Sequence, residues 1–310
     1  MVAPMSTVDQ QKIRRTRTGL IAHDPTLAQP GYTLFAPMYG DGTVYLLDMY
    51  GKVAHGWRLP YRPGLYGHLL PNGHLLYGGK IMEDLDRFEA WRRFKGGAVL
   101  EVDWNGNVLW EVRHPDHHHD ARRLRNGNVL LLCLCPLPED LARRVQGGLP
   151  GTEANGTIYA DYLVEMTTSG RIVWELGSPP LAQQHDPRPL DNGHLLIFDN
   201  GTHRRDHPGT YSRVIEVDPR TSEIVWQYAD QSPFEFFSPY ISNAQRLANG
   251  NTLICEGVHG RIFEVTRDGE VVWEFVSPHF FDEPSGPGLN NWVFRAFRYT
   301  PEEIDAARMA

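Results

Sequence analysis

Apolar runs bounded by turn sequences alternate along the chain in two patterns. In the first, an aliphatic residue, one spacer and Asn-Gly precede an apolar strand, as in LPNGHLLYGG, LRNGNVLLLC, LDNGHLLIFD and LANGNTLICE. In the second, a short strand with an acidic residue near its end is joined by a turn to a strand closed by tryptophan, as in AVLEVDWNGNVLW, RVIEVDPRTSEIVW and RIFEVTRDGEVVW. Both patterns predict β-hairpins, because Asn-Gly and Asp-Gly tolerate the positive φ angles of tight turns.

The tryptophans of the second pattern recur about every fifty residues, which is the length of a four-stranded propeller blade. They are Trp57, Trp110, Trp174, Trp226 and Trp273. A large apolar side chain repeated once per blade fills the space between neighbouring sheets. We therefore predict an all-β fold, a single β-propeller of four-stranded blades, with these tryptophans at the blade junctions.

The repeats give five blades. The C-terminal strand WVFRAFRY has no partner after it, so its pairing with the N-terminal strand GYTLFAP should complete one blade and close the ring. A sixth, degenerate blade stays open in residues 80–98, which have helical spacing, or 136–158, which contain a Gly-rich loop suited to covering one face. The predicted organisation is a tail over 1–20, the propeller over 21–300 and a tail over 301–310.

Composition narrows the class of protein. A chain of 310 residues that is 22% charged and 41% hydrophobic is typical of a soluble globular protein. The formal net charge of −8 provides no general attraction to phosphate backbones, so nucleic acid is not an expected partner. No stretch resembles a signal-peptide core or a membrane span, so we expect a cytoplasmic location without membrane association. The sequence leaves open whether the protein forms a homo-oligomer. Cys133, Cys135 and Cys255 are expected to be buried reduced thiols.

Histidines occupy corresponding positions in several repeats. His119 and His185 lie five residues before the aliphatic residue of the Asn-Gly turn, where another repeat has Ser242, and His68 lies two residues before it. The first strand of each propeller blade lines the central channel, so these side chains are expected to converge there. Each histidine has a second interpretation, since a histidine at a blade end commonly satisfies backbone groups or holds water.

Other polar and aromatic residues extend this candidate site. His203, Arg204 and His259 follow a second strand, and Asp186 lies next to His185. Asn243 lies next to Ser242, and Arg295 lies on the closing strand. Phe236 and Phe237 lie in an aromatic loop. The aromatic ones suit the wall of a pocket for a small aromatic substrate.

The segments QHDPRPLDNGHLLIFDNG, TYSRVIEVDPRTSEIVWQY and SNAQRLANGNTLICEGVHGRIFEVTRDGEVVWEF resemble the arylsulfotransferase-like β-propeller family, and the likeness runs from about Gly31 to Tyr299. Members of that family form six-bladed propellers and move a sulfuryl group from one phenol to another through a sulfurylated histidine. The resemblance implies this activity here, without a cofactor. It places His185 and Arg204 at the reacting centre and leaves His259 as a competing nucleophile.

The residue types fit this chemistry. A neutral imidazole is a competent nucleophile near pH 7, and a second histidine can serve as general acid or base. Cationic side chains hold sulfuryl oxygens while charge moves to the phenol. The catalytic candidates are His119, His185, Asp186, Arg204, His259 and Arg295, and the candidates for substrate binding are His68, His203, Phe236, Phe237 and Asn243.

Two other functions stay open. Neutral imidazoles that meet on the channel axis suit Zn, Cu, Ni or Fe, which would support hydrolytic, hydratase, lyase or oxidative chemistry. The ligands in this alternative are His68, His119, His185 and His259, and Asp186 or Asp120 could ligate the metal or orient a histidine ring. The third function is a non-catalytic scaffold that binds partners on its rim.

Overall fold

The computed structural model describes residues 17–88, 91–143, 157–176, 185–201, 210–218, 220–221, 223–232, 235–282 and 288–310. Over these ranges the chain forms five antiparallel blades of four strands each in a propeller arrangement, and one blade has a fifth strand added at its edge. The predicted all-β propeller of five blades is therefore confirmed.

Each blade runs outward from the channel, beginning with its innermost strand. Blade I consists of β23 (Val293–Tyr299), β2 (Tyr32–Pro37), β3 (Thr43–Leu47) and β4 (Val53–Arg58). Blade II consists of β5 (Arg62–Leu69), β6 (Leu75–Lys80), β7 (Gly97–Val102) and β8 (Val108–Arg113). Blade III consists of β9 (His117–Arg123), β10 (Val129–Pro136), β11 (Tyr159–Met166) and β12 (Ile172–Leu176).

Blade IV consists of β13 (His185–Pro189), β14 (Leu195–Asp199), β15 (Arg213–Asp218) and β16 (Glu223–Tyr228). Blade V consists of β17 (Asn243–Arg246), β18 (Thr252–Glu256), β19 (Arg261–Val265), β20 (Val271–Val276) and an outermost fifth strand, β1 (Gly19–His23). A separate hairpin pairs β21 (Phe281–Asp282) with β22 (Leu289–Asn290). Contacts link β23 to β5 and β17, β5 to β9, and β13 to β17, so these inner strands surround the channel.

The ends of the chain close the ring as predicted. Strand β23 pairs with β2, with Tyr299 opposite Tyr32, which joins the C-terminal strand to the N-terminal one. The two predicted tails contain further structure. Strand β1 pairs with β20 from Gly19 onward, and residues 301–309 form helix α3 (Pro301–Met309). Helix α3 begins with a capping box at Thr300 and buries Ile304 in the apolar cluster shared by blades I and II.

The two long intervals do not form a sixth blade in the part of the chain that the structure describes. The first contains the short helix α1 (Trp91–Phe94), as its helical spacing predicts, and the second begins with the short helix α2 (Glu139–Ala142). The Gly-rich loop of the second interval falls largely on residues 144–156, outside the described residues.

Tryptophans connect neighbouring blades. The indole N–H groups of Trp57, Trp226 and Trp273 donate to backbone carbonyls of the next blade, at Asp103 (3.2 Å), Arg267 (2.8 Å) and Met49 (2.9 Å). Each indole thus buries apolar area and satisfies its one donor at the same junction. The side chain of Trp174 lies outside the described residues.

Glutamates in the third strands form a second repeated link. Glu101, Glu216 and Glu264 each accept from an asparagine of the Asn-Gly turn in their own blade. Each also pairs with an arginine of the following blade, at N–O distances of 3.2, 2.9 and 3.3 Å; these partners are Arg123, Arg246 and Arg298. A buried carboxylate is tolerated only when it is paired and hydrogen-bonded, so the acidic residue of the sequence repeat is a structural element.

Cys133 and Cys255 are buried, Cys135 is half-buried, and all three thiols are free. Among the described helices, none is both long and apolar enough to cross a membrane.

Candidate functional site

One residue from each inner strand contributes to a polar layer across the channel. In the four repeats with an Asn-Gly turn, this residue lies four positions before the aliphatic residue of that turn, and on β23 it is an arginine. The five residues are Tyr66, Asp120, Asp186, Asn243 and Arg295. The sequence singles out Asp186, Asn243 and Arg295 for the site and names Asp120 in the metal alternative, whereas it does not single out Tyr66.

Arg295 is the centre of this layer. Its guanidinium donates to both carboxylate oxygens of Asp120, at 2.6 and 2.9 Å, and lies 3.4 Å from Oδ1 of Asp186. The hydroxyl of Tyr66 also donates to Asp120, and the Tyr66 ring lies under the guanidinium at 4.7 Å. Burial alone would lower the pKa of Arg295, but the charges of Asp120 and Asp186 raise it above its usual range. The guanidinium is therefore permanently charged and already neutralised by protein carboxylates.

Strand β9 begins with three consecutive histidines above this layer. The first, His117, is fully buried; its Nδ1 accepts from the N–H of Gly97 at 3.1 Å, and its Nε2 donates to the carbonyl of Asp120 at 3.2 Å. These contacts define one neutral tautomer, and burial lowers the pKa of His117 to about 4. Both ring nitrogens of His117 are therefore used to hold the strand in place, and the next two histidines are the candidates for a chemical role.

His118 and His119 form a pair. Their Nδ1 atoms lie within hydrogen-bond distance, so one of these atoms carries a proton and the other accepts it. Nε2 of His119 lies 3.7 Å from Oδ2 of Asp120, and that negative charge favours a proton on this nitrogen. Nδ1 of His119 is then the acceptor, and Nδ1 of His118 is the donor.

This arrangement leaves Nε2 of His118 as an unprotonated nitrogen. No hydrogen bond to it is found within the described ranges of the chain. Burial and the neighbouring histidines His117 and His185 lower the pKa of His118 to about 3, and burial also lowers the pKa of His119 well below its usual range. Both imidazoles are therefore neutral at pH 7, as a nitrogen nucleophile requires.

Aromatic rings enclose one side of the pair. His118 stacks on Trp91 with 5.6 Å between centroids, and its edge contacts Phe94. Phe94 in turn contacts Tyr240, which contacts Trp292. The excursion between β6 and β7 that carries Trp91 also lines a cavity of about 810 Å³, together with residues of blades I and II; the cavity includes Met38, Tyr39, Arg62, Lys80, Met82 and Arg87. The same excursion thus contacts the histidine pair through Trp91 and lines the cavity through Met82 and residues 84–87.

His185 comes close to His119 but is fully hydrogen-bonded. The two ring centroids are 6.2 Å apart, and both rings contact Phe294. Nδ1 of His185 donates to Oδ1 of Asn200 at 2.8 Å, and its Nε2 accepts from the backbone N–H of Ile241 at 3.2 Å. Burial lowers its pKa to about 4. In this structure His185 is neutral, with no free lone pair for attack.

Two further predicted residues have structural contacts. Asn243 uses both ends of its amide on the backbone of Ala296, at 2.9 and 3.0 Å, and so joins β17 to β23. Phe236 is fully buried in the apolar core between blades IV and V. Phe237 is half-buried, and its backbone N–H donates to Glu256 at 3.3 Å.

The remaining predicted residues lie apart from the pair or outside the described residues. His259 ends a 3₁₀ turn (Gly257–His259) after β18, and its side chain is 45% exposed. His68 lies on the far side of the Arg295 layer, near the Asn-Gly turns. His203 and Arg204 fall in residues 202–209, which are not described. Within the described ranges, no three histidine, cysteine or acidic side chains converge as a metal site, so the four histidines of the metal alternative do not form one there.

Sequence comparison supports the predicted family resemblance over part of the chain. The arylsulfotransferase (ASST) family model matches residues 178–275, which is less than half of the chain and includes His185 and His259. No curated protein matches the sequence.

Structure comparison gives distant similarities. A protein of unknown function from Bacteroides caccae is 14% identical, with a TM-score of 0.41, and the match covers 87% of this chain and 99% of that one. Virginiamycin B lyase from Staphylococcus aureus is 13% identical, with a TM-score of 0.31 and coverage of 92% and 89%. A luciferin-regenerating enzyme is 12% identical, with a TM-score of 0.37 and coverage of 91% and 95%. With TM-scores below 0.5, these similarities do not bear on the chemistry of this chain.

Proposed function

We propose that the protein is a histidine-dependent group-transfer enzyme that moves a sulfuryl group between aromatic hydroxyls, with His118 as the nucleophile. The observation that carries this proposal is the chain of contacts from Asp120 through His119 to His118, which leaves Nε2 of His118 unprotonated beside an aromatic wall. The family match over residues 178–275 supports the same class of reaction.

In the first half-reaction, Nε2 of His118 attacks the sulfur of an aryl sulfate. The N–S bond forms as the bond from sulfur to the phenolic oxygen breaks, and the phenolate leaves and takes a proton from water. The imidazole becomes cationic, and its Nδ1–H, held by His119, places that charge toward Asp120. In the second half-reaction an acceptor phenol loses its proton to solvent, attacks the sulfur and breaks the N–S bond.

The wall and the cavity suit such a substrate. Phe94 is half-buried and provides apolar surface for an aromatic ring, while the fully buried Trp91 supports the His118 ring from behind. Arg62 and Lys80 in the cavity provide positive charge for an anionic sulfate ester beside Asp84 and Asp86, while Arg87 pairs with Asp116 at 2.9 Å. Arg295 is too fully engaged with Asp120 to bind sulfuryl oxygens, so its role is to fix the carboxylate that orients His119.

The test measures transfer of the sulfuryl group from 4-nitrophenyl sulfate to phenol, monitored through the release of 4-nitrophenolate. We expect the His118→Ala variant to lose activity at least about hundredfold, the range typical of a lost catalytic group, and His119→Ala to lose less. Intact-mass analysis of the wild type with donor alone should show the addition of one SO₃ group, absent in His118→Ala. His23→Ala, on the outer strand β1, is the matched control. Full activity in His118→Ala would overturn the assignment of the nucleophile, and a wild type that transfers nothing would overturn the reaction.

A further inference from the structure

The channel has a second cavity at the opposite end from the histidine pair. The inner strands run in the same direction around the ring, so their first residues meet at one mouth and their Asn-Gly turns meet at the other. At the turn end a cavity of about 290 Å³ is lined by residues two positions before the aliphatic turn residue of successive repeats: His68, Arg122, Arg188 and Gln245. Phe297 and Tyr299 of the closing strand, Arg123 and residues 69–71 also line it. The polar layer around Arg295 separates this cavity from His118.

Arginine donors in this cavity have few protein partners. Arg188 uses its Nε on Asp186 at 2.6 Å and packs over the ring of Phe297 at 4.6 Å. Among the described residues, neither of its terminal nitrogens has a hydrogen-bond acceptor. Arg122 reaches no closer than 3.8 Å to Asp186, too far for a hydrogen bond, and its side chain is 48% exposed. Both guanidiniums therefore present unused N–H groups to the cavity.

Neutral donors lie beside the two guanidiniums. Burial and the charges of Arg122 and Arg188 lower the pKa of His68 to about 3, so its imidazole is neutral and keeps one N–H. No hydrogen bond engages either ring nitrogen in the described part of the chain. The hydroxyl of Tyr299 accepts from the N–H of Leu69 at 2.9 Å, which leaves its own proton to donate.

The amide and carboxylate acceptors near this cavity are already in use. Both ends of the Gln245 amide bond to the backbone of Arg298, at 2.9 and 2.8 Å. Arg123, which also lines the cavity, pairs with Glu101 at 3.2 Å. The carboxylates of Asp186 and Asp120 are shared with Arg295. Two carboxylates thus face three guanidiniums, those of Arg122, Arg188 and Arg295, and one positive charge is left without a protein partner.

We propose that this cavity is a binding site for a small oxyanion, held by Arg122, Arg188, His68 and Tyr299. Convergent N–H and O–H donors with an excess positive charge and no free carboxylate recognise a sulfate, phosphate or carboxylate group. The site lies at a different mouth from His118 and does not depend on the proposed transfer reaction.

The direct test is calorimetric titration of the full-length protein with sodium sulfate, sodium phosphate and sodium acetate at constant ionic strength. We expect one binding site in the wild type. The anion that binds with the highest affinity identifies the class of ligand. Arg188→Gln and Arg122→Gln should each weaken binding by about tenfold, the loss typical of one charge-assisted hydrogen bond. Arg125→Gln removes the same charge from an exposed residue of the same Asn-Gly turn and should leave affinity within about twofold.

A second measurement follows the His68 ring proton by NMR during a pH titration. A bound anion offsets the charges of Arg122, Arg188 and Arg295 that face His68, so saturating anion should raise the pKa of His68, whereas sodium chloride at the same ionic strength should not. Folding of each variant is checked by its far-ultraviolet spectrum, and Arg188→Lys replaces Arg188→Gln if the latter unfolds. The proposal is overturned if none of the three anions binds the wild type, or if Arg125→Gln weakens binding as much as Arg122→Gln does.

Discussion

The ion pair between Asp120 and Arg295 should be a large contributor to stability, and Asp120→Asn tests this. The substitution keeps the shape of the side chain and removes the charge that two guanidinium N–H groups and the Tyr66 hydroxyl now contact. Removing one partner of a buried pair costs about 3–5 kcal/mol, because the other charge is left uncompensated. Asp186 lies 3.4 Å from Arg295 and keeps part of that compensation. We therefore expect a loss near the lower end, about 3 kcal/mol.

The assay is urea unfolding at neutral pH followed by tryptophan fluorescence. A lower midpoint with an unchanged slope would report a pure loss of stability. A typical domain is stable by about 5–15 kcal/mol, so the variant should remain folded in buffer. Asp191→Asn, at an exposed turn residue, is the matched control and should change stability by less than about 0.5 kcal/mol.

A double-mutant cycle isolates the pair. Arg295→Met alone leaves Asp120 and Asp186 as neighbouring like charges, so the combination with Asp120→Asn should cost less than the sum of the two single changes. The reasoning is refuted if Asp120→Asn costs no more than Asp191→Asn, or if the two single changes are additive.

Two further predictions concern the channel histidines. His185→Ala should cost about 2–4 kcal/mol, because it leaves the Ile241 N–H and the Asn200 carbonyl oxygen unpaired in a buried site; a loss below about 1 kcal/mol in urea unfolding would contradict this. The free energy of unfolding should also fall on acidification. Burial holds the pKa of His117 and His185 at about 4, below the value in an unfolded chain. The unfolded state therefore takes up protons first, and stability is lost as the pH drops from about 6.5 through 4. Urea midpoints measured across this range check the sign, and a midpoint that rises on acidification would refute it.

The sequence is informative where one local rule repeats. Asn-Gly turns and tryptophans recur in register, and each has the same physical role in every blade, so the blade number and the closure of the ring can be predicted. Residues 301–310 are predicted only as a tail, although Thr300 and Glu303 form a capping box that marks the start of helix α3. The strand β1 carries no such signal, and only its pairing with β20 defines it.

The candidate site is less accessible to prediction because irregularities in the strands change which side chains face the channel. The pairing of β9 with β10 shifts between Leu131 and Cys133, and that of β13 with β14 shifts near Asp186, which has a φ of 52°. Such bulges break the simple alternation of faces along a strand. His119 and Asp120 are consecutive and both contribute to the site, a result that strict alternation would not predict.

Alignment of repeats also cannot separate a reactive histidine from a structural one. His119 and His185 correspond in sequence, yet His185 is engaged by Asn200 and Ile241, which lie 15 and 56 residues away along the chain. The positions that correspond to His118 in the other repeats do not hold a histidine, so the repeat pattern does not single it out. Its contacts with Trp91 and Phe94 come from an excursion that the repeat pattern does not describe.

The position of Arg295 on β23 has a consequence for the order of assembly. Strand β23 follows the strands of all five blades in the chain, whereas Asp120 and Asp186 belong to blades III and IV. During synthesis on the ribosome Asp186 can pair with Arg188 as soon as β13 forms, because Arg188 follows it by two residues. Asp120 obtains its guanidinium partner only from β23. Neutralisation of the Asp120 carboxylate is therefore coupled to the docking of the strand that closes the ring.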